Sequence, residues 1–148
     1  MNYLMNNIVD RRDHPFTEVV SFCADRFRAI RADYTCQLVS DFQVAQHLEI
    51  MARFHILAAH RCVEEARENF DQHQNMEKLL QCLISLRIYY RDLRLRGITS
   101  PNEAEIYCYE FLLPTERSSV LKKFLSMTPG ALCVRTVFYY NRPVCQLF

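Results

Sequence analysis

Asp25-Arg-Phe-Arg-Ala-Ile-Arg-Ala-Asp-Tyr-Thr-Cys-Gln37 sets three arginines and two aspartates into a segment whose apolar residues keep a helical rhythm. Phe16, Val20, Cys23, Phe27, Ile30 and Tyr34 recur at spacings of four, three, four, three and four. A repeat of about 3.5 residues belongs to a helix that buries one stripe. Arg26, Asp33 and Gln37 fall on one edge of that stripe and Arg31 on the other. Charges beside a buried seam need partners, because an unpaired desolvated charge costs on the order of several kcal/mol. This demand organises the reading of the rest of the chain.

The next segment offers candidate partners. Ser40-Asp-Phe-Gln43 has the form of a capping box and opens a second helix. Its apolar seam reads Ala45, Leu48, Ala52, Ile56, Ala59, Val63, Ala66 and Phe70. A helix from Asp41 to Phe70 would be about 45 Å long. Glu49, Arg53 and His60 share one flank of it, and Glu49 precedes Arg53 in the favourable order. The expectation is a structural lock of ion pairs and hydrogen bonds between the first two helices. Arg26→Ala or Arg31→Ala would then lower stability by on the order of a few kcal/mol.

A third helix is expected from Gln74 to Arg94, with two apolar rows. Met76, Leu79, Leu83, Leu86, Tyr90 and Leu93 form one; Leu80, Ile84, Ile88 and Leu95 form the other. So wide an apolar arc suits a helix sandwiched between neighbours in a stacked array. Gly97 is a natural residue just past its end. Ser100-Pro-Asn-Glu103 then signals a short fourth helix closing at Leu113-Pro114. Upstream, Thr17 is the expected N-cap of the first helix, and residues 1–14 are a lead-in. Thr115–Ser126 and Ala131–Tyr140 are further helical candidates, separated by Thr128-Pro-Gly130. Residues 15–148 would form one helical-repeat domain, left incomplete where the chain stops without a closing helix.

Composition supports an all-α fold. Gly97 and Gly130 are the sole glycines in 148 residues, which leaves few sites for tight β-turns. Half of the residues are hydrophobic, enough for a core. A formal net charge of +1 gives no global pull toward nucleic acid. Fifteen of the eighteen cations are arginine, the residue suited to partly buried ion pairs. Seven scattered cysteines, none spaced C-x-x-C, read as free buried thiols of a soluble intracellular protein. No apolar run approaches the roughly 18 residues of a membrane span, so no membrane insertion is expected.

Catalytic constellations fail. His55, His60 and Cys62 lack a second ligand pair at zinc-finger spacing, so no metal is expected. No glycine-rich loop can cradle phosphates. Glu64, Glu65 and Glu68 read as an acidic patch on the solvated face of the second helix. The expectation is a non-enzyme with no cofactor and no small-molecule substrate. Arg87, Arg91 and Arg94 share one helical face; they read first as partners of carboxylates on adjacent helices. The minority reading of that stripe is a surface facing a partner or RNA.

Three blocks in series resemble the SAC-three/GANP family of nuclear mRNA-export scaffolds. The first is Asp25–Gln37, similar to the family signature D-R-x-R-x-I-R-x-D-x-T-x-Q and supplying Asp25, Arg26, Arg28, Arg31, Asp33 and Gln37. The second is Glu49–Leu57, with Glu49, Arg53, Phe54 and His55 at the family positions. The third runs from Leu83 to Glu105 and includes Tyr90-Arg-Asp-Leu-Arg94, Gly97, Asn102, Glu103 and Glu105. The likeness extends from about Phe16 to Leu113; Ala32, Tyr34 and Ile106 depart from common family choices without removing a charged signature residue.

The resemblance implies a right-handed stack of antiparallel helix pairs of the PCI type, normally followed by a winged helix, which is expected to be missing or truncated in this chain. It further implies a scaffold that pairs with a second PCI-type subunit and a small acidic subunit in a transcription-coupled export complex at the nuclear pore. Nucleic acid would be bound only within that complex. The alternatives are a PCI-type subunit of a proteasome lid or translation-initiation assembly, and a centrosome-associated family member. Those alternatives would place the chain in the cytoplasm or at the centrosome.

Overall fold

The computed structural model of the chain describes residues 1–9, 11–39 and 41–113. These residues are helical throughout their regular elements, with no strand among them. A short π-type helical turn, Leu4–Ile8, precedes α1 (Phe16–Cys36), α2 (Phe42–Arg61), α3 (Gln72–Leu95) and α4 (Glu103–Leu112). The turn and α1 to α3 lie in one compact unit, Met1–Ile98, whereas α4 belongs to a second, Thr99–Phe148. The expected helices Thr115–Ser126 and Ala131–Tyr140, and the Ser40 side of the capping box, fall outside the described residues.

In α1 the expected stripe is the buried one. Val19, Val20, Cys23, Ala24 and Phe27 are inside, while Phe16, Ile30 and Tyr34 are half-buried. The start differs from expectation. Thr17 does not cap; the helix follows Pro15, whose carbonyl accepts from the amides of Glu18 and Val19 at 3.1 and 3.3 Å. Proline's fixed φ prepares the first turn, and Glu18 there complements the helix dipole.

α2 is shorter than its apolar seam suggested. It ends at Arg61, so its 20 residues span about 30 Å. His60 and Arg61 occupy the last turn, where cations complement the dipole. Glu64, Glu65 and Glu68, all exposed, would oppose that dipole had the helix continued through them. The chain instead turns, and Asp71 starts α3 by accepting from the amides of His73 and Gln74 at 2.9 and 3.1 Å. Ala45, Leu48 and Ala52 are buried as expected, but Val63 and Ala66 are exposed beyond the helix end.

α2, not α3, is the inner helix of this unit. It packs along α3 and, over a shorter contact, against α1. Its buried residues cover a wide arc: Val44, Ala45, Leu48, Glu49, Met51, Ala52, Phe54, His55 and Ala58. α3 buries one stripe, made of Asn75, Leu79, Cys82, Leu83, Leu86, Tyr90 and Leu93. The second row proposed for α3 faces outward; Ile84, Ile88 and Leu95 are 58%, 49% and 83% exposed. Hydropathy misassigned the sandwiched helix because two interior residues of α2, Glu49 and His55, count as polar.

α1 and α3 end in the same way with different residues. Past α3, the amides of Gly97 and Ile98 donate to the carbonyls of Arg94 and Leu93, both at 2.9 Å, and Gly97 takes φ +75°. Past α1, the amides of Leu38 and Val39 donate to Thr35 and Tyr34 at 3.3 and 3.2 Å, and Leu38 takes φ 51°. Both are the paired closing bonds that require a left-handed residue. At Leu38 that conformation costs about 1 kcal/mol that glycine would not incur.

Candidate functional site

The side chains able to do chemistry collect in the polar links that cross the helical unit. Glu49 lies on α2 with 1% of its side chain exposed. The hydroxyl of Tyr90, from α3, donates to its Oε1 at 2.7 Å, and the Arg53 guanidinium stands 4.0 Å from its Oε2. A buried carboxylate is tolerated only with such charge-assisted bonds.

His55, one turn and a half further along α2, is also buried. Asn75, on α3, donates from Nδ2 to the backbone carbonyl of His55 at 2.9 Å. That leaves Asn75 Oδ1 facing the ring at 2.8 Å from Nδ1, so Nδ1 carries the hydrogen and donates. The ring also meets Phe27 and Phe54 edge-on, each at 6.0 Å between centroids, while Phe27 and Phe54 meet at 5.2 Å. Burial pushes the His55 pKa down; the Asn75 bond opposes this, and the charges of Lys78 and Arg31 assist it. The imidazole is thus held neutral as a fixed donor in an apolar setting.

α1 enters this network at two points. Arg31 reaches across to α3, where Gln81 Oε1, the Gln81 carbonyl and Ser85 Oγ accept from its guanidinium at 3.3, 3.4 and 3.4 Å. Tyr34 is stacked on His47 of α2 and hydrogen-bonded to His47 Nδ1. Burial, with the charge of Tyr89, raises the Tyr34 pKa, and burial, then the N-terminal ammonium, lowers that of His47.

The lock expected between the first two helices is therefore drawn differently. Asp25, Arg26, Arg28, Asp33 and Gln37 are exposed. Arg28 pairs with Asp25 on its own helix at 3.6 Å, and Arg26 lies over the Phe22 ring at 5.6 Å. Of the flank meant to neutralise them, Glu49 is bonded to α3, Arg53 stands beside Glu49, and His60 is exposed. The physical reason is that these α1 charges lie on the solvent side of the buried stripe, while the Glu49 flank of α2 faces α3. Sequence reasoning missed Asn75, although it sits four residues before Leu79 on the buried stripe of α3, where a polar residue needs an explanation.

Arg87 and Arg91 are exposed and Arg94 is half-buried; Arg91 Nε lies 3.5 Å from Asp92. In the second unit, Ser100 starts a turn in which its hydroxyl accepts from the Asn102 amide at 3.3 Å, and α4 begins only at Glu103. Ser100 is thus a turn residue, and Asn102 takes the N-cap position. Glu105 accepts from the Tyr109 hydroxyl at 2.6 Å.

The cysteines are free where described: Cys23, Cys62 and Cys82 are buried, Cys108 is half-buried and Cys36 is exposed. Burial pushes the Cys23 and Cys82 thiols up to about 11, which keeps them protonated. Among the described residues, no group of three His, Cys, Asp or Glu side chains could hold a metal ion. No helix among them is long and apolar enough to cross a membrane.

Comparison with known proteins decides what the shared pattern is. The profile of the SAC3/GANP family matches residues 1–137. The chain belongs to the SAC3/GANP family. It is 38% identical over 118 residues to Protein xmas of Drosophila melanogaster, covering 76% of this chain and 6% of that protein. It is 34% identical over 122 residues to SAC3 family protein B of Arabidopsis thaliana, covering 79% and 7%. With SAC3 family protein 1 of Schizosaccharomyces pombe the identity is 33% over 124 residues, covering 83% and 12%. The chain thus spans about an eighth or less of the curated relatives it matches. No solved structure gives a significant match.

Proposed function

We propose that this SAC3/GANP chain is a non-catalytic scaffold segment of a nuclear, transcription-coupled mRNA-export assembly at the nuclear pore. Its role is to present helical surfaces to a second PCI-type subunit and, in the assembled complex, to a small acidic subunit. Nucleic acid is bound by that complex and not by this segment alone. The observation that carries the reading is family membership over residues 1–137. The site chemistry agrees with a scaffold role. Its buried acid is paired with the Tyr90 hydroxyl and its buried imidazole with the Asn75 amide, both across helices, where they hold the fold. The stacked arrangement of antiparallel helix pairs belongs to the same proposal.

The test is affinity capture of the tagged chain from nuclear extract, followed by mass spectrometry. Recovery of a PCI-type subunit together with export or pore components is the expected result. Recovery of proteasome-lid or translation-initiation subunits instead would transfer the chain to a different helical-repeat assembly.

A further inference from the structure

The face between α1 and α3 is open. Two adjoining cavities of about 250 and 230 Å³ lie there, and Arg28 and Arg31 line both. Lys78 lines the second from the α3 side, so cations stand on both walls. One carboxylate, Glu77, is among the lining residues of the two cavities. Three cations against one acid is a local excess in a chain whose formal net charge is +1.

These cations are only lightly engaged. Arg31 is half-buried, and its hydrogen bonds go to neutral acceptors at 3.3 to 3.4 Å, longer than the usual N–H···O bond. Lys78 Nζ donates to Gln74 Oε1, also neutral, at 3.1 Å. Arg28 has an exposed pairing with Asp25 at 3.6 Å, which solvent screens. The charges of Arg31 and Lys78 both reach His55, which lines the same cavity and is disfavoured from protonating by them.

We propose that this groove binds a phosphorylated segment of a partner protein, with the phosphate held between Arg31, Arg28 and Lys78. A phosphomonoester carries close to two charges and several acceptor oxygens at one point. It matches a compact cation cluster better than an extended acidic peptide, which needs cations spaced along its length. The planar fork of arginine suits phosphate, and lysine adds a point charge from the facing wall. A single-stranded RNA fits less well. Its bases need open aromatic faces, yet Tyr34 is already stacked on His47 and Tyr89 is half-buried.

The experiment uses the full chain and an immobilised peptide library with one fixed phosphoserine among randomised neighbours, beside libraries carrying serine or glutamate there, and labelled oligouridylate. Arg28→Glu and Lys78→Glu test the rim without removing an interhelical bond, and Arg31→Gln tests the centre. Retention of the phosphoserine library about tenfold or more above the serine library is expected, falling about tenfold in each rim variant at unchanged melting temperature. Equal retention of the phosphoserine and serine libraries overturns the proposal, as does retention indifferent to both rim variants. Glutamate retained as well as phosphoserine makes the groove an acidic-peptide site. Oligouridylate bound more tightly, with the same rim sensitivity, makes it an RNA site. Partner capture is read with the unmodified chain, so the scaffold role survives each of these failures; an RNA site would overturn only the statement that this segment alone binds no nucleic acid.

Discussion

The two seams of α1–α3 handle polar groups in opposite ways. Between α2 and α3 the polar atoms are buried and closely paired: Tyr90 to Glu49 at 2.7 Å, His55 to Asn75 at 2.8 Å, and Asn75 back to the His55 carbonyl at 2.9 Å. Between α1 and α3 the long reach of Arg31 ends in bonds of 3.3 to 3.4 Å beside open cavities. The first arrangement excludes water and fixes register; the second leaves charge facing solvent. A charge-rich signature therefore divides into a part that builds the interior and a part that stays available.

That contrast can be attacked first at Asn75. Asn75→Ala strips a hydrogen bond from the His55 ring and another from its carbonyl; the carbonyl keeps its helical partner, but the buried ring N–H is left unsatisfied. A loss of about 3 kcal/mol is expected in urea denaturation. A loss below about 1 kcal/mol would mean that water reaches the α2–α3 seam and that the two seams are alike.

A smaller effect should appear on acidification. The folded pKa of His55 is depressed, while in the unfolded chain it returns to near 6.5. Below that value the unfolded state binds a proton that the folded state resists, so stability is full above about pH 6.5 and declines as pH falls below it. One such group contributes at most about 1.4 kcal/mol per pH unit. His47, also depressed, acts with the same sign. The decline should shrink in His55→Gln; an undiminished decline would assign it to other groups.

Least affected should be the α1 charges. Arg31→Ala is expected to cost less than about 1 kcal/mol, since its bonds are long and half-exposed. Arg26→Ala, at an exposed site, should leave the melting temperature unchanged. A loss of several kcal/mol for either would close the open seam and restore a lock centred on α1.

How much of this was readable follows from which signals are periodic. The stripe of α1 and the left-handed Gly97 follow from spacing and composition, and the structure has them where expected; Glu64, Glu65 and Glu68 are solvated as expected but lie past the end of α2. The end of α2 was not legible, because apolar residues continue in phase to Phe70 while the helix stops at Arg61. The cap at Asp71, which outweighs that phase, is a local hydrogen-bond effect. Partner choice among the signature charges was also hidden. Periodicity gives a residue's own face, but not the identity of the helix across from it.

The open seam also has a consequence in time. α2 and α3 are joined by the ten residues 62–71 and meet along their length, whereas Arg31 contacts residues fifty or more positions away. Contacts close in sequence form with little loop entropy, so the α2–α3 hairpin is the natural nucleus and α1 docks after it. The reverse journey starts at the same place. Amide hydrogens of α1 should exchange before those of α2 and α3, and α1 can part from the unit while the hairpin keeps its dry interior.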